Sequence, residues 1–126
     1  MDLTQETFEA TIAAGGIVLV DFWAGWCGPC RAFAPVYDAA AAQHRDVIFA
    51  KVDTEAEKEL AGSLGIRSIP TLMAFRDGIL LYAEAGALSA AALETLVTTV
   101  RASDMAQVRA QVEREEAART QGEHQV

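Results

Sequence analysis

The stretch WCGPC at residues 26–30 contains both cysteines of the chain, separated by two residues. The apolar run before it, residues 17–23, has the length and composition of a buried strand. The residues after it have the composition of a helix. Pro29 suits the first turn of that helix, because its missing N–H costs no hydrogen bond there. The stretch therefore predicts a strand, a turn and a helix, with Cys27 just before the helix and Cys30 inside its first turn.

This placement favours a reactive sulfur at Cys27. The free N–H groups and the positive end of the helix dipole face that sulfur and stabilise a thiolate, which is the reactive form. Once Cys27 has attacked a disulfide in another protein, Cys30 is close enough to resolve the mixed disulfide. The spacing therefore predicts reversible dithiol–disulfide exchange.

Two other interpretations of a Cys-x-x-Cys pair carry less weight. A structural zinc site needs four ligands, mostly cysteine and histidine, but the chain has no further cysteine and its histidines, His44 and His124, lack ligand spacing. A structural disulfide across so short a loop would constrain the unfolded chain little. We therefore expect a redox pair, with no bound metal and no bound cofactor.

Composition indicates one small domain of 126 residues with ample material for a core, since 52% of the residues are hydrophobic. The net charge of −8 argues against nucleic acid or a membrane surface as a partner. The acidic N-terminus resembles no signal segment, and no apolar stretch reaches membrane-spanning length. We expect a cytoplasmic protein, in which a cysteine pair turns over rather than staples the fold.

The remaining elements alternate between helices and strands. In chain order they are a helix over 4–14 with Thr4 as N-cap, a strand over 47–52, an acidic helix over 55–64, strands over 72–76 and 79–82 joined at Asp77-Gly78, and a last helix capped by Ser89. The charges of residues 55–59 are interpreted as a solvated face. This order predicts an α/β domain with helices on both faces of a mixed sheet, and the cysteine pair lies where a strand ends and a helix begins.

Two charged residues interrupt the apolar strands. Asp21 is either a strand-end acid that reaches solvent or a buried acid near the cysteines with a raised pKa, able to accept and return a proton. Lys51 either pairs with Asp21, if the two strands are neighbours, or extends its long side chain to solvent. The residues alone leave both choices open.

The chain resembles the thioredoxin family from about Leu3 to Arg101. Four separated motifs carry the resemblance in the family's order: DFWAGWCGPC at residues 21–30, KVD at 51–53, IPT at 69–71 and GALS at 86–89. The resemblance implies a thioredoxin fold over residues 1–102, with a central mixed sheet of four to five strands flanked by helices on both faces. Only three residues precede Thr4, so the first edge strand is expected to be short or missing.

The resemblance also implies a general protein disulfide reductase, an electron carrier, in which Cys27 is the nucleophile and Cys30 resolves. Asp21 assists proton transfer through water, and Lys51 tunes its charge and pairs with it. The supporting and docking residues are Trp26, Gly28, Pro29, Ile69, a cis Pro70 that faces the dithiol, Gly86 and Ala87. Gly28 and Pro29 between the cysteines suit a reductant better than a strong oxidant.

Partners follow from the same resemblance. A flavin-containing thioredoxin reductase would recharge the pair with electrons from NADPH. Clients would be proteins that contain disulfides, for example reductases and peroxidases that form one during turnover. The alternative is a chaperone-like or assembly module that uses the groove and the C-terminal helix. Such a module would be marked by a missing second cysteine or a disrupted cis-proline motif, and neither defect is present.

The resemblance does not cover residues 103–126. Ser103 or Asp104 is expected to cap a further helix with Met105, Val108 and Val112 on one stripe, and the chain is expected to fray after Thr120. This helical extension either is solvated and loosely packed or docks a partner. We expect a monomer, and a weak dimer formed through this tail stays open.

Overall fold

A computed structural model describes residues 1–124 of the chain. Its elements are α1 (Phe8–Ala13), β1 (Ile17–Trp23), α2 (Gly28–Gln43), β2 (Val47–Asp53), α3 (Lys58–Ser63), β3 (Thr71–Arg76), β4 (Ile79–Ala85), α4 (Ala90–Ala102) and α5 (Met105–His124). The strands form one sheet in the order β2-β1-β3-β4, in which only the β1–β2 pair is parallel among residues 1–124. The predicted mixed sheet of an α/β domain is confirmed.

Strand β1 separates the two halves of the core, because successive side chains of a strand point to opposite faces. Ile17 and Leu19 pack with residues of α2 and α4 on one face. Val18 and Val20 pack with residues of α1 and α3 on the other. Asp21 follows Leu19 by two positions, so the strand period directs its carboxyl group toward α2.

The turn between β3 and β4 is built as the sequence predicted. Asp77 and Gly78 both have positive φ, 52° and 82°, which is the conformation that a two-residue hairpin needs and that glycine adopts without strain. Asp77 also ties this turn to the start of β1, since its N–H donates to the carbonyl of Gly16 at 2.9 Å and its Oδ1 accepts from the Gly16 N–H at 3.1 Å.

The N-terminus differs from the prediction at one point. Helix α1 begins at Phe8, so the prediction of Thr4 as N-cap is wrong. A turn precedes the helix instead, in which the Thr4 carbonyl accepts from the N–H of Phe8 at 3.0 Å. Residues 1–3 form a short bridge beside β2, with the Leu3 N–H donating to the Lys51 carbonyl at 2.8 Å. The first edge strand is therefore short, as expected.

The junction between α4 and α5 is attached to the end of β3. Arg76 extends one guanidinium nitrogen to the carbonyl oxygens of Val100, Arg101 and Ser103, each within 3.0 Å, and so satisfies the last turn of α4. Asp104 caps α5 by accepting from the N–H groups of its first turn at 3.1 and 3.2 Å. The predicted cap between the two helices is thus Asp104.

Between residues 105 and 121 of α5, only the first turns pack on the domain. Met105 is buried, Val108 and Val112 are half-buried, and residues 113–121 are exposed. The helix continues to His124, and the fraying predicted after Thr120 stays a prediction. The last two residues of the predicted frayed end lie outside the described part of the chain. Within residues 1–124, no helix combines the length and the apolar character needed to cross a membrane.

We predict that Met105→Ala lowers the free energy of unfolding by about 2 kcal/mol, because it removes a buried side chain from the contact between α5 and the domain. Equilibrium unfolding in urea measures the change. Gln107→Ala, at an exposed position of the same turn, is the control and is expected to change stability by less than about 0.5 kcal/mol. Equal stabilities for both variants and the parent would show that α5 does not pack on the domain.

Candidate active site

The sulfur of Cys27 caps helix α2. Cys27 has extended backbone angles at the N-cap position, and its Sγ accepts from the N–H of Cys30 at 3.2 Å. Pro29 lies in the first turn, as predicted. A negative charge on this sulfur is stabilised by that N–H and by the positive end of a 16-residue helix.

Cys27 and Cys30 are joined by a disulfide, so the structure represents the oxidised state of the pair. Both residues are nearly covered, with 4% and 3% of their surfaces exposed, whereas Trp26 beside them is 70% exposed. The covered pair is therefore bordered by an exposed aromatic ring that another molecule can contact.

The loop before β3 lies next to Cys27. The Ile69–Pro70 peptide bond is cis, as the family resemblance implied. The carbonyl oxygen of Ile69 lies 3.7 Å from the sulfur of Cys27. The Pro70 carbonyl accepts from the N–H of Gly86 at 2.8 Å, which joins this loop to the end of β4. The structure thus brings together the cysteine pair and three of the predicted docking residues; Ala87 follows Gly86 and is exposed.

One contact at the site was missed by the sequence interpretation. The indole N–H of Trp26 donates to Oε1 of Glu55 at 2.8 Å. Glu55 was interpreted as part of a solvated face, and it is exposed, but it also orients the exposed ring beside the cysteines. No local pattern signals this contact, because it joins residues 29 positions apart.

The structure decides between the two interpretations of Asp21, because this residue is a buried acid. Only 1% of its surface is exposed, and its Oδ1 has no hydrogen-bond partner among the described residues. Burial raises the pKa of Asp21 to about 6, because the charged carboxylate loses its hydration; Lys51 opposes this rise and Asp38 adds to it. The group can therefore exchange a proton near neutral pH.

Lys51 lies opposite Asp21 in the β1–β2 register, so the strands are neighbours as required. The predicted direct ion pair is nevertheless wrong. The Lys51 ammonium lies 3.8 Å from Oδ1 of Asp38 on α2 and 6.0 Å from the centre of the Tyr37 ring. Its side chain keeps 24% of its surface exposed, which limits the desolvation that a closed pair with Asp21 would require. Lys51 therefore acts on Asp21 through space.

A small cavity of about 120 Å³ connects the acid with the second cysteine. Its lining residues are Asp21, Trp23, Cys30, Arg31, Ala34 and Lys51. The volume exceeds what one water molecule needs, and the buried Asp21 carboxylate and Trp23 indole N–H supply polar partners. The cavity can therefore hold a chain of water between the carboxyl group and the sulfur of Cys30.

Across the described part of the chain, no three or more His, Cys, Asp or Glu residues are grouped so that they could hold an ion. His44 instead contacts Glu94 at 2.7 Å and Arg101 at 3.1 Å, between α2 and α4. Its position is explained by packing.

We predict that Asp21→Asn raises the free energy of unfolding at pH 8 by about 3 kcal/mol, and has little effect below about pH 4. The carboxyl group has a pKa of about 6 in the fold against 3.8 in a model peptide. At low pH the carboxyl group is protonated in both the folded and the unfolded chain and costs no stability. The destabilisation by the buried carboxylate grows as the pH rises between these two pKa values, and it is complete above them. Urea unfolding across this pH range measures it.

The matched control is Glu113→Gln, which removes one carboxylate from the exposed part of α5. It is expected to leave the pH dependence of stability unchanged. A variant at Asp21 that loses stability equally at every pH would contradict the burial of an ionised carboxylate there.

Comparison with known proteins agrees with this geometry. The thioredoxin family model matches residues 1–99. A Streptomyces coelicolor protein assigned as its thioredoxin 2 is 48% identical over 117 residues, covering 93% of this chain and 87% of the relative. Thioredoxin of Bacillus subtilis is 39% identical over 95 residues, covering 75% of this chain and 90% of the relative. The Streptomyces match extends past the family model into α5.

Solved structures give the same result. Plasmodium falciparum thioredoxin superposes with a TM-score of 0.71 at 33% identity, covering 77% of this chain and 95% of the other. A chain solved in work on how glutathione and thioredoxin systems resolve the thiol of the yeast mitochondrial 1-Cys peroxiredoxin superposes with a TM-score of 0.72 at 28% identity, covering 78% and 92%. Members of this family carry no bound cofactor of their own and work with thioredoxin reductase and disulfide-containing clients. With its Cys27–Cys30 pair at the start of α2, the chain belongs to the thioredoxin family and is a thioredoxin-type disulfide oxidoreductase.

Proposed function

We propose that the protein is a general protein disulfide reductase that carries two electrons from a reductase to clients. The observation that carries the proposal is the sulfur of Cys27 at the N-cap of α2, where it accepts the Cys30 N–H at 3.2 Å beside an exposed Trp26. Such a sulfur is activated as a thiolate and is placed where another chain can reach it.

The first step uses Cys27 as the nucleophile. Its thiolate attacks one sulfur of a client disulfide, so that a new bond joins Cys27 to the client and the other client sulfur leaves as a thiolate and takes a proton from solvent. The donor N–H of Cys30 and the dipole of α2 stabilise the attacking charge. No electrons have left the protein–client pair at this point; one disulfide has been exchanged for another.

The second step uses Cys30 and Asp21. The Cys30 thiol gives its proton through water in the cavity to the Asp21 carboxylate, and the resulting thiolate attacks the sulfur of Cys27. The bond between Cys27 and the client breaks, the client leaves as a thiolate and receives the proton. The client disulfide has then been reduced to two thiols while the Cys27–Cys30 disulfide has formed. Lys51 tunes the charge of Asp21.

The docking surface consists of Trp26, Ile69, Pro70, Gly86 and Ala87. The close approach of the Ile69 carbonyl to the Cys27 sulfur supports this assignment, because an extended client strand lying along the loop would bring its disulfide to the same sulfur. Gly28 and Pro29 support the turn that starts α2.

The electron supply and location complete the proposal. Electrons come from NADPH through a flavin-containing thioredoxin reductase, and the clients include reductases and peroxidases that form a disulfide during turnover. The similarity to the chain from the yeast 1-Cys peroxiredoxin work supports peroxidases as one client class. The protein acts in the cytoplasm as a monomer, without nucleic acid or membrane partners. The net charge of −8 supports this absence of polyanionic partners.

Reduction of insulin disulfides by the full chain tests the proposal, with NADPH and a bacterial thioredoxin reductase as the electron source. We expect catalytic turnover, a complete loss in Cys27→Ser, and a stable mixed disulfide with insulin in Cys30→Ser, because the attacking sulfur remains but the resolving one is gone. The Cys30 variant is the control for folding. Absence of turnover with a correctly folded parent chain and with dithiothreitol as the alternative reductant would overturn the proposal.

A further inference from the structure

The Lys51 ammonium contacts Asp38, a partner that no sequence motif predicted. Its nitrogen lies 3.8 Å from Asp38 Oδ1 and 6.0 Å from the centre of the Tyr37 ring, and both residues belong to α2. Tyr37 is itself fixed, because it is 1% exposed and its hydroxyl donates to the Ala50 carbonyl at 2.8 Å. Tyr37 and Asp38, which are consecutive residues of α2, therefore form a contact site for the ammonium group.

This contact site lies between the buried Asp21 and solvent. The exposed fraction of the side chain is 71% for Asp38 and 24% for Lys51, whereas Asp21 as a whole residue is 1% exposed. An ammonium held at Asp38 keeps part of its hydration. A closed pair with Asp21 would instead bury both charges, and such burial is costly. The geometry therefore favours a Lys51 ammonium held beside Asp38 over a closed ion pair between Lys51 and Asp21.

We propose that Asp38 is a positioning residue for disulfide exchange, which holds the Lys51 ammonium at the edge of the site and so keeps Asp21 able to take the Cys30 proton near neutral pH. This inference rests on the proposed role of Asp21. A closed Asp21–Lys51 pair would make the carboxylate a poorer proton acceptor, since the ammonium would favour its charged form.

The other groups that face Asp21 set the background for this effect. Cys30 and Arg31 of α2 and Lys51 of β2 line the same cavity, and Tyr37 of α2 lies on the same side of the sheet. On β3 the residue paired with Asp21 is the apolar Leu72. The Asp38→Asn substitution replaces none of these groups, so a shift can be assigned to the lost charge of Asp38 and to the changed position of the Lys51 ammonium.

The sign of the expected change is the same for both contributions. The negative charge of Asp38 raises the pKa of Asp21, while Lys51 lowers it. In Asp38→Asn the repulsive charge is gone and the ammonium is free to approach Asp21. We expect the titration midpoint of Asp21 to fall by about half a pH unit, a size suited to a partly solvated charge. The rise of the exchange rate with pH that follows this ionisation is expected to shift down equally.

The experiment follows the Asp21 carboxyl carbon by NMR in the reduced full chain, from pH 4 to 9, and the rate of insulin disulfide reduction over the same range. Asp38→Glu is the rescue variant, because it restores a carboxylate within reach of Lys51. Glu9→Gln is the charge control, because it removes an exposed carboxylate on α1, across the sheet from α2. Both are expected to titrate like the parent chain.

The outcomes separate this inference from the proposed function. An unchanged Asp21 midpoint in Asp38→Asn, or an equal shift in Glu9→Gln, overturns the role of Asp38 even when insulin is reduced normally. A downward shift confined to Asp38→Asn, restored in Asp38→Glu and matched by the rate profile, supports it. Failure of the parent chain to reduce insulin would overturn the proposed function, while the carboxyl titration would still decide whether Asp38 tunes Asp21.

Discussion

The hydrogen bond from the Cys30 N–H to the Cys27 sulfur is the contact on which the chemistry of this molecule depends. It requires α2 to begin at Gly28, directly after a turn that leaves β1 at Trp23. Strand β1 is packed on both faces, which fixes the point from which that turn departs. The core therefore acts as a support that holds one sulfur against the end of one helix.

The strand period supplies the second requirement of the site. In β1 the side chains that face α2 are Ile17, Leu19 and Asp21, two apolar residues followed by an acid. The hydrophobic packing of the first two places the third beneath α2 without hydration, and its pKa rises as a result. A carboxyl group that weakens the fold near neutral pH is thus placed where it can serve as a proton acceptor. Stability and reactivity are opposed at this residue.

Local signals in the sequence predicted most of the fold correctly. Pro29 and the cysteines fixed the start of α2, Asp77-Gly78 the hairpin, and Ser89 the start of α4, where its Oγ accepts from the Ala92 N–H. Each of these signals acts within a few residues, so a pattern can reveal it. The cis bond before Pro70 needed the family resemblance, because the dipeptide itself favours trans.

The incorrect predictions concern long side chains and helix ends. The partner of Lys51 depends on how α2 rotates over the sheet, and that rotation brings Asp38 to the ammonium in place of Asp21. Glu55 reaches Trp26 for a similar reason, across 29 positions of sequence. Helix α1 starts later than the Thr4 signal indicated.

The attachment of α5 has a practical consequence. Arg109 of α5 lies 3.8 Å from Asp77, at the end of the sheet where β1 begins, whereas the cysteines follow the end where β1 stops. Seven extended residues separate these two ends by roughly 20 Å. A chain immobilised on an electrode or a resin through the start of α5, beside Arg109, would consequently present its dithiol toward the bulk solution, with the folded domain as the spacer.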